Sequence, residues 1–271
     1  MKKKTREKSR KAAHRKKARR GRRIYSLLQG LFLGFCICLL LFTVWKIGAA
    51  FLARQAAAKE YSGLKQYILQ EPPPPGAWRD EAQSSVQAAR IDLASLQDIN
   101  PDAAGWIEIP GSGLSYPIVH ASDNAYYLTH TFRRKKNNAG SIFIETASKA
   151  DLSDLHTIIY GKSGMGGSMF AGLKDYKKEK YRKAHPYVFI DLEDGSHCYE
   201  IFSCHNAPVT DISYTIGYKK DQTYAAFLEE LKASSLYDTG VAVGAEDSVI
   251  TLSTYIDNKK DRFVVHARKI Y

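Results

Sequence analysis

The sequence predicts a mainly β protein: a closed β-barrel of about eight short strands with peripheral helices, behind one N-terminal transmembrane helix. Three observations predict it. Residues 24–45 form a run of 22 residues without a charge, directly after a polybasic block. Beyond residue 100, eight short segments rich in β-branched and aromatic residues are bounded by Gly, Asn, Asp or Pro. Only a few helical patterns lie between those segments, a pattern suited to a barrel decorated by helices.

The uncharged run contains LLQGLFLGFCICLLLFTVW. At about 1.5 Å per residue it spans roughly 33 Å as a helix, enough to cross the hydrocarbon core. Residues 1–23 carry 14 Lys and Arg against one acid, Glu7. Only Lys46 and Arg54 follow the run closely, so the positive-inside asymmetry places the N-terminus in the cytoplasm and the rest outside. Tyr25 and Trp45 stand at the ends, where interfacial aromatics are expected. The competing reading is a cleaved signal peptide, with Ala56–Ala58 as a small-residue site.

Charge excludes a further class. The whole chain carries +12 and the first 23 residues +13, which leaves −1 on the other 248. A folded nucleic-acid binder would spread basic residues over a folded face, so no nucleic-acid partner is expected. Charge beside a membrane span serves topology and attraction to anionic lipid.

The organisation follows in chain order: a basic cytoplasmic tail (1–23), a transmembrane helix (24–50), an extracellular spacer (51–84) and a folded domain (85–271). The spacer holds the stiff Pro run 72–75. Residues 80–97 carry a helical pattern through Val86, Ala89, Ile91, Leu93 and Leu96, stopped at Asn100-Pro101. The strands are expected at 105–109, 116–119, 141–144, 157–160, 187–192, 199–203, 248–254 and 262–267, and further helices at 168–176, 179–183 and 222–232.

The four cysteines form no framework. Cys36 and Cys38 lie in the apolar run, and Cys198 and Cys204 sit about 20 Å apart along one extended segment, too far to bridge. No CxxC or HExxH spacing occurs, so neither a metal nor a cofactor is expected. The Gly161-Lys162-Ser163 triplet follows a strand but lacks the earlier glycine of a phosphate-binding loop, since position 156 is His. Cys204 and His205 are adjacent on a strand and point to opposite faces. His266 shares a face with Arg262 but lies about 13 Å from it by strand rise. His156 opens a strand and reads as a surface residue, and His120 and His130 have no evident partner.

Three segments carry the site: TIIYGKSG (157–164), ITLSTY (250–255) and DRFVVH (261–266). Together with INPDAAGWIEIPG (99–111), YPIVH (116–120), GSIFIE (140–145) and GSMFAGLKDY (167–176), they resemble class B sortases, membrane-anchored cysteine transpeptidases of Gram-positive bacteria. The resemblance covers about residues 90–271. It implies a sortase barrel and an acyl-transfer site in which a strand-end Cys attacks a peptide bond of a sorting signal, a His handles protons and an Arg stabilises the oxyanion or positions the substrate.

The resemblance places Arg262 at the retained Arg position and Thr254 beside the oxyanion site, and matches Asp257 to an acidic residue often found there. Where family members read YGH and LSTC, this chain reads Tyr160-Gly161-Lys162 and Leu252-Ser253-Thr254-Tyr255. A thiol titrates near about 8.5 and a phenol near about 10, and an ammonium does not shuttle protons at neutral pH as imidazole does. The expectation is therefore a catalytically impaired sortase-like protein at the plasma membrane, binding a sorting-signal peptide, a surface protein or an active sortase. Two alternatives remain. One is an active transpeptidase with a non-standard nucleophile, either Tyr255 activated by Lys162 or Cys204. The other is a structural membrane protein whose groove Tyr255 fills.

Overall fold

A computed structural model describes residues 2–70, 90–164, 167–255 and 261–271; for residues 2–28 and Tyr255 it describes the backbone alone. The predicted helix over 80–97 is thus seen only from Arg90 onward, and Asp257 lies outside the described residues.

The chain divides into two compact units, Met1–Ala53 and Arg54–Tyr271. Helix α1 runs from Lys2 to Leu64. Its described apolar part, including Leu31, Phe32, Leu40 and Trp45, is exposed in the first unit, and the helix is long and apolar enough to cross a membrane. Residues 54–64, expected in the spacer, continue the helix and form part of the second unit. The physical reason is an apolar stripe at helical spacing: Ala57, Tyr61 and Leu64 are buried in the barrel core. The Tyr61 hydroxyl donates to Gly140 O at 2.7 Å and accepts from Phe132 N at 3.2 Å. Glu60 Oε1 accepts from Arg133 N at 2.9 Å.

Arg90 is fixed by a buried ion pair. Its Nη2 lies 2.8 Å from Asp191 Oδ2, its Nε donates to Ser196 Oγ at 3.2 Å, and its guanidinium lies over the Phe189 ring. Helix α2 (Leu93–Ile99) starts at Asp92, whose carboxylate accepts from Ser95 N at 3.0 Å.

Eight strands close the barrel: β1 (Ala103–Ile109), β2 (Leu114–Val119), β3 (Ile142–Ile144), β4 (His156–Tyr160), β5 (Tyr187–Leu192), β6 (Gly195–Ala207), β7 (Val249–Tyr255) and β8 (Arg262–Lys269). Their order around the barrel is β1-β2-β3-β4-β7-β8-β6-β5. The β2–β3 and β4–β7 pairs are parallel and the others antiparallel. The predicted barrel is the observed one. β6 is longer than expected because it pairs with β5 along its first half and β8 along its second. The predicted helix over 168–176 is a 3-10 helix, Phe170–Lys177, with Phe170, Leu173 and Tyr176 buried at the three-residue period of that helix.

Helix α3 (Glu179–Ala184) precedes β5. Helix α4 (Gln222–Ala233) is capped by Asp221 and buries Tyr224, Phe227, Leu228 and Leu231, a stripe at i, i+3, i+4 and i+7. With Phe202 and Val249 they form a second core on the barrel's outer face. His156, read as a surface residue from its place at a strand start, is buried there, as are His205 and His266.

The buried end of α1 gives the first prediction. Leu64→Ala should destabilise the second unit by about 3 kcal/mol, the range for a fully buried leucine. Chemical denaturation of the full chain in detergent, followed by tryptophan fluorescence, measures it; an unchanged midpoint would show that residues 54–64 only tether the domain.

Candidate functional site

Three strand ends build the site. β4 and β7 run parallel with Tyr160 opposite Ser253, and β7 and β8 run antiparallel with Tyr255 opposite Arg262. Gly161 N donates to Ser253 O at 3.1 Å and carries the β4–β7 ladder one residue further. Continuing that register brings Lys162 level with position 255. The strand ends therefore gather Lys162, Tyr255 and Arg262 at one end of the barrel.

A pocket of about 120 Å³ lies there, lined by Asn124, Leu128, Phe143, Tyr160, Gly161, Ser253 and Arg262. Gly161 is needed in this wall, because a Cβ would sit 2.5 Å from the Phe170 ring. Phe170 is fully buried, so the ring has no room to yield. The same ring's backbone N donates to Lys162 O at 3.0 Å, so the 3-10 helix holds the Lys162 backbone in place.

The polar groups of the pocket are linked. Tyr160 Oη donates to Glu145 Oε2 at 2.9 Å, Asn124 Nδ2 donates to Glu145 Oε1 at 2.5 Å, and Thr146 N donates to Asn124 Oδ1 at 3.0 Å. Burial, reinforced by the Glu145 carboxylate, pushes the Tyr160 phenol far above its ordinary value, while the nearby Arg262 charge works the other way. Tyr160 therefore serves as a neutral donor to Glu145. Tyr214 Oη lies 2.9 Å from Ser253 Oγ, beside the pocket floor. Lys162 Nζ donates to Asn138 O and Oδ1, both at 3.2 Å.

Other sequence candidates lie apart from the pocket. Thr254 shares the inward face of β7 with Ile250 and Leu252 and is buried, so its side chain belongs to the barrel interior. Its hydroxyl is buried with no hydrogen-bond partner among the described residues. Cys204 is buried in the main core, with Sγ 3.3 Å from Tyr176 O and 3.4 Å from Tyr237 Oη. Burial pushes its thiol up, which disfavours thiolate. His205 points to the opposite face, toward Asp211 and Ser213. Sequence reasoning missed Asn124, Glu145, Tyr160, Tyr214 and Ser253 as site residues. Glu145, Tyr160 and Ser253 stood inside the quoted segments; Asn124 and Tyr214 carried no signal. Among the described residues no cluster of His, Cys, Asp and Glu has metal-binding geometry.

The barrel agrees with comparisons to known proteins. No family model matches the chain. Sortase B of Listeria monocytogenes is 35% identical over 185 residues, covering 68% of this chain and 74% of that protein. Sortase B of Staphylococcus aureus is 32% identical over 184 residues, covering 67% and 75%. The chain belongs to the sortase B family. The crystal structure of Staphylococcus aureus sortase B in a substrate complex superposes with a TM-score of 0.70 at 28% identity, covering 80% of this chain and 98% of that one. Sortase B from Bacillus anthracis in complex with AAEK1 gives 0.69 at 29% identity, covering 81% and 98%. The sortase B likeness thus extends over the described barrel and its helices.

The burial of Cys204 sets a second prediction. In the native full chain, Cys204 should resist iodoacetamide at about pH 8 and react fully once denatured. Peptide mapping by mass spectrometry reads this out. Rapid native labelling of Cys204 would revive it as a nucleophile.

Proposed function

We propose that this sortase B family member binds a sorting-signal peptide, presented by a surface protein or alongside an active sortase, and does not cleave it. One observation carries the reading: the pocket lined by Tyr160, Ser253 and Arg262 stands at the three strand ends, while the flanking positions 162 and 255 hold an amine and a phenol. The pocket supports binding, since it offers an apolar wall (Leu128, Phe143) beside a guanidinium and an amide. The flanking residues argue against acyl transfer through a thiol. A phenol is a poorer nucleophile than a thiolate at neutral pH, and loss of one member of a catalytic set costs orders of magnitude. Placement of the domain on the outer face of the plasma membrane, with the N-terminus in the cytoplasm, is supported by the Lys/Arg asymmetry around the apolar helix.

The deciding experiment compares the natural full chain with a Lys162→His/Tyr255→Cys double variant, both in detergent micelles. Each is incubated with a pool of sorting-signal peptides and an amine acceptor, then analysed by intact mass. The expected result is an acyl adduct on the double variant alone. An adduct on the natural chain would overturn the reading and favour a non-standard nucleophile, which Tyr255→Phe then tests. In parallel, Arg262→Ala should weaken peptide binding by about tenfold, as expected when a charged hydrogen-bond partner is removed. Binding that ignores this change would place the peptide away from Arg262, and no binding at all would favour a purely structural role.

A further inference from the structure

The outer face of β4, β7, β8 and β6 carries a buried chain of hydrogen-bonding side chains that the peptide site does not use. His156 Nδ1 lies 2.8 Å from Thr215 O, and its Nε2 lies 2.7 Å from Thr251 Oγ1. Thr251 Oγ1 lies 2.9 Å from His266 Nδ1. Ser213 Oγ lies 3.5 Å from both His266 Nε2 and His205 Nε2, and donates to Asp211 Oδ1 at 2.6 Å. The His205 and His266 rings stack with centroids 5.2 Å apart.

The proton positions follow from the partners. A carbonyl only accepts, so His156 carries its proton on Nδ1 and accepts at Nε2 from the Thr251 hydroxyl. That hydroxyl has then spent its hydrogen and accepts from His266 Nδ1–H. From Thr215 O to His266 Nδ1 each contact then has one donor and one acceptor with both imidazoles neutral. A proton added at His156 Nε2 would aim two N–H groups at one hydroxyl and leave that hydroxyl's own hydrogen displaced. Burial lowers His156 to about 4 and His266 well below its ordinary range, and the neighbouring histidines lower His266 further.

Few charges on the surrounding elements could compensate an added proton. β4, β6 and β8 contribute the three histidines themselves, and β7 contributes Thr251. Helix α4 presents the Phe227 ring, 4.9 Å from His156, and its Glu230 acts on Tyr218. The segment before α4 brings Tyr218, 6.4 Å from His156 by ring centroids, and Asp211, whose Oδ1 lies 3.4 Å from His205 Nε2. Lys220 is taken up by Glu246, and Asp221 by the N-terminus of α4.

The histidines sit on barrel strands, held by backbone ladders. Their partners Ser213 and Thr215 sit on a short strap around the 3-10 turn Ile212–Tyr214, whose backbone bonds are local. Between those two partners stands Tyr214, whose hydroxyl reaches Ser253 on the pocket floor. The same five residues thus touch the histidine chain on both sides and, in the middle, a residue that lines the pocket, Ser253.

We propose that residues 211–215 form a proton-operated latch: with His156 and His266 neutral, the strap holds Tyr214 against Ser253, and a proton on either of these buried rings, neither of which bonds a carboxylate as His205 does, releases the strap to admit water and opens the groove. The consequence for peptide access rests on the peptide-binding reading; the latch does not. Linkage gives the direction. Open-state histidines titrate near about 6.5, so each one that gains a proton raises the opening constant by up to about tenfold per pH unit below that value. The rise ends at the lower value held by the latched state.

The test is amide hydrogen exchange with mass spectrometry on the full chain in detergent micelles, without ligand, between about pH 7.5 and about pH 4.5, corrected for intrinsic exchange. Protection over 208–218 should fall by about tenfold or more across this range while β4, β7 and β8 stay protected. His156→Asn/His266→Asn keeps an N–H where each imidazole donates and cannot titrate, so its strap should stay protected at low pH. Thr251→Val removes the central hydroxyl and no titrating group, so its strap should already exchange at the higher pH. The latch is overturned if the natural strap shows no pH dependence or opens only together with the strands, and equally if the double variant keeps the natural response. Should that variant fail to fold, the natural profile and Thr251→Val decide. Because no peptide is present, failure here leaves the binding reading intact, and failure of peptide binding leaves the latch intact.

Discussion

The parallel pairing of β4 with β7 is the constraint on which the site depends. Parallel strands finish at the same end of a sheet, and the antiparallel β8 begins there. Tyr160, Tyr255 and Arg262 therefore meet although β5, β6 and α4 intervene in the chain between the first two. A parallel pair needs a crossover, and here that crossover, residues 161–248, supplies two further barrel strands, β5 and β6, and the helix that covers the outer face. The entropic cost of such a long loop grows only logarithmically with length, so the insertion adds little to the cost of closure.

Register ties the core to the site through a single strand. Along β7, Ile250, Leu252 and Thr254 belong to the barrel interior, while Thr251 and Ser253 face outward. A slip of one residue would turn Thr251 and Ser253 into the apolar barrel interior and Leu252 out of it, so the core's apolar packing fixes which side chains line the pocket. Gly161 acts in the same way on β4: the buried Phe170 ring occupies the space that any side chain there would need, and the 3-10 helix that carries Phe170 also holds Lys162.

Much of this architecture was legible in the sequence. The eight strands are marked by β-branched and aromatic residues, many of them between turn residues, and the segment 222–232 by a helical pattern. The Ala-rich segment after the apolar run was read as spacer because its burial depends on three residues, Ala57, Tyr61 and Leu64, whose partners lie far along the chain. His156 was misplaced because a strand start is usually exposed, whereas α4 covers this one. Positions 162, 255 and 262 came from the family resemblance, since no spacing links residues about a hundred apart. Asn124, Glu145 and Tyr160 form a hydrogen-bonded set across three segments, and such a set leaves no periodic trace.

Burying three imidazoles under a helix costs free energy that an apolar layer would not, unless each polar atom is matched. Here the matching comes from Thr251 on β7 and from the strap that also carries Tyr214, while His205 Nδ1 is buried with no hydrogen-bond partner among the described residues. Successive outward positions of β7 then serve two purposes: Thr251 completes the histidine chain and Ser253 receives the tyrosine. Any ligand that approaches position 255 across Ser253 competes with Tyr214 for that hydroxyl. On the latch proposal, displacing Tyr214 pulls on Ser213 and Thr215, and work done in the groove is felt by the histidines. Coupling of this kind is reciprocal. If protonation loosens the strap, a ligand that lifts Tyr214 raises the histidines' affinity for protons by the same factor.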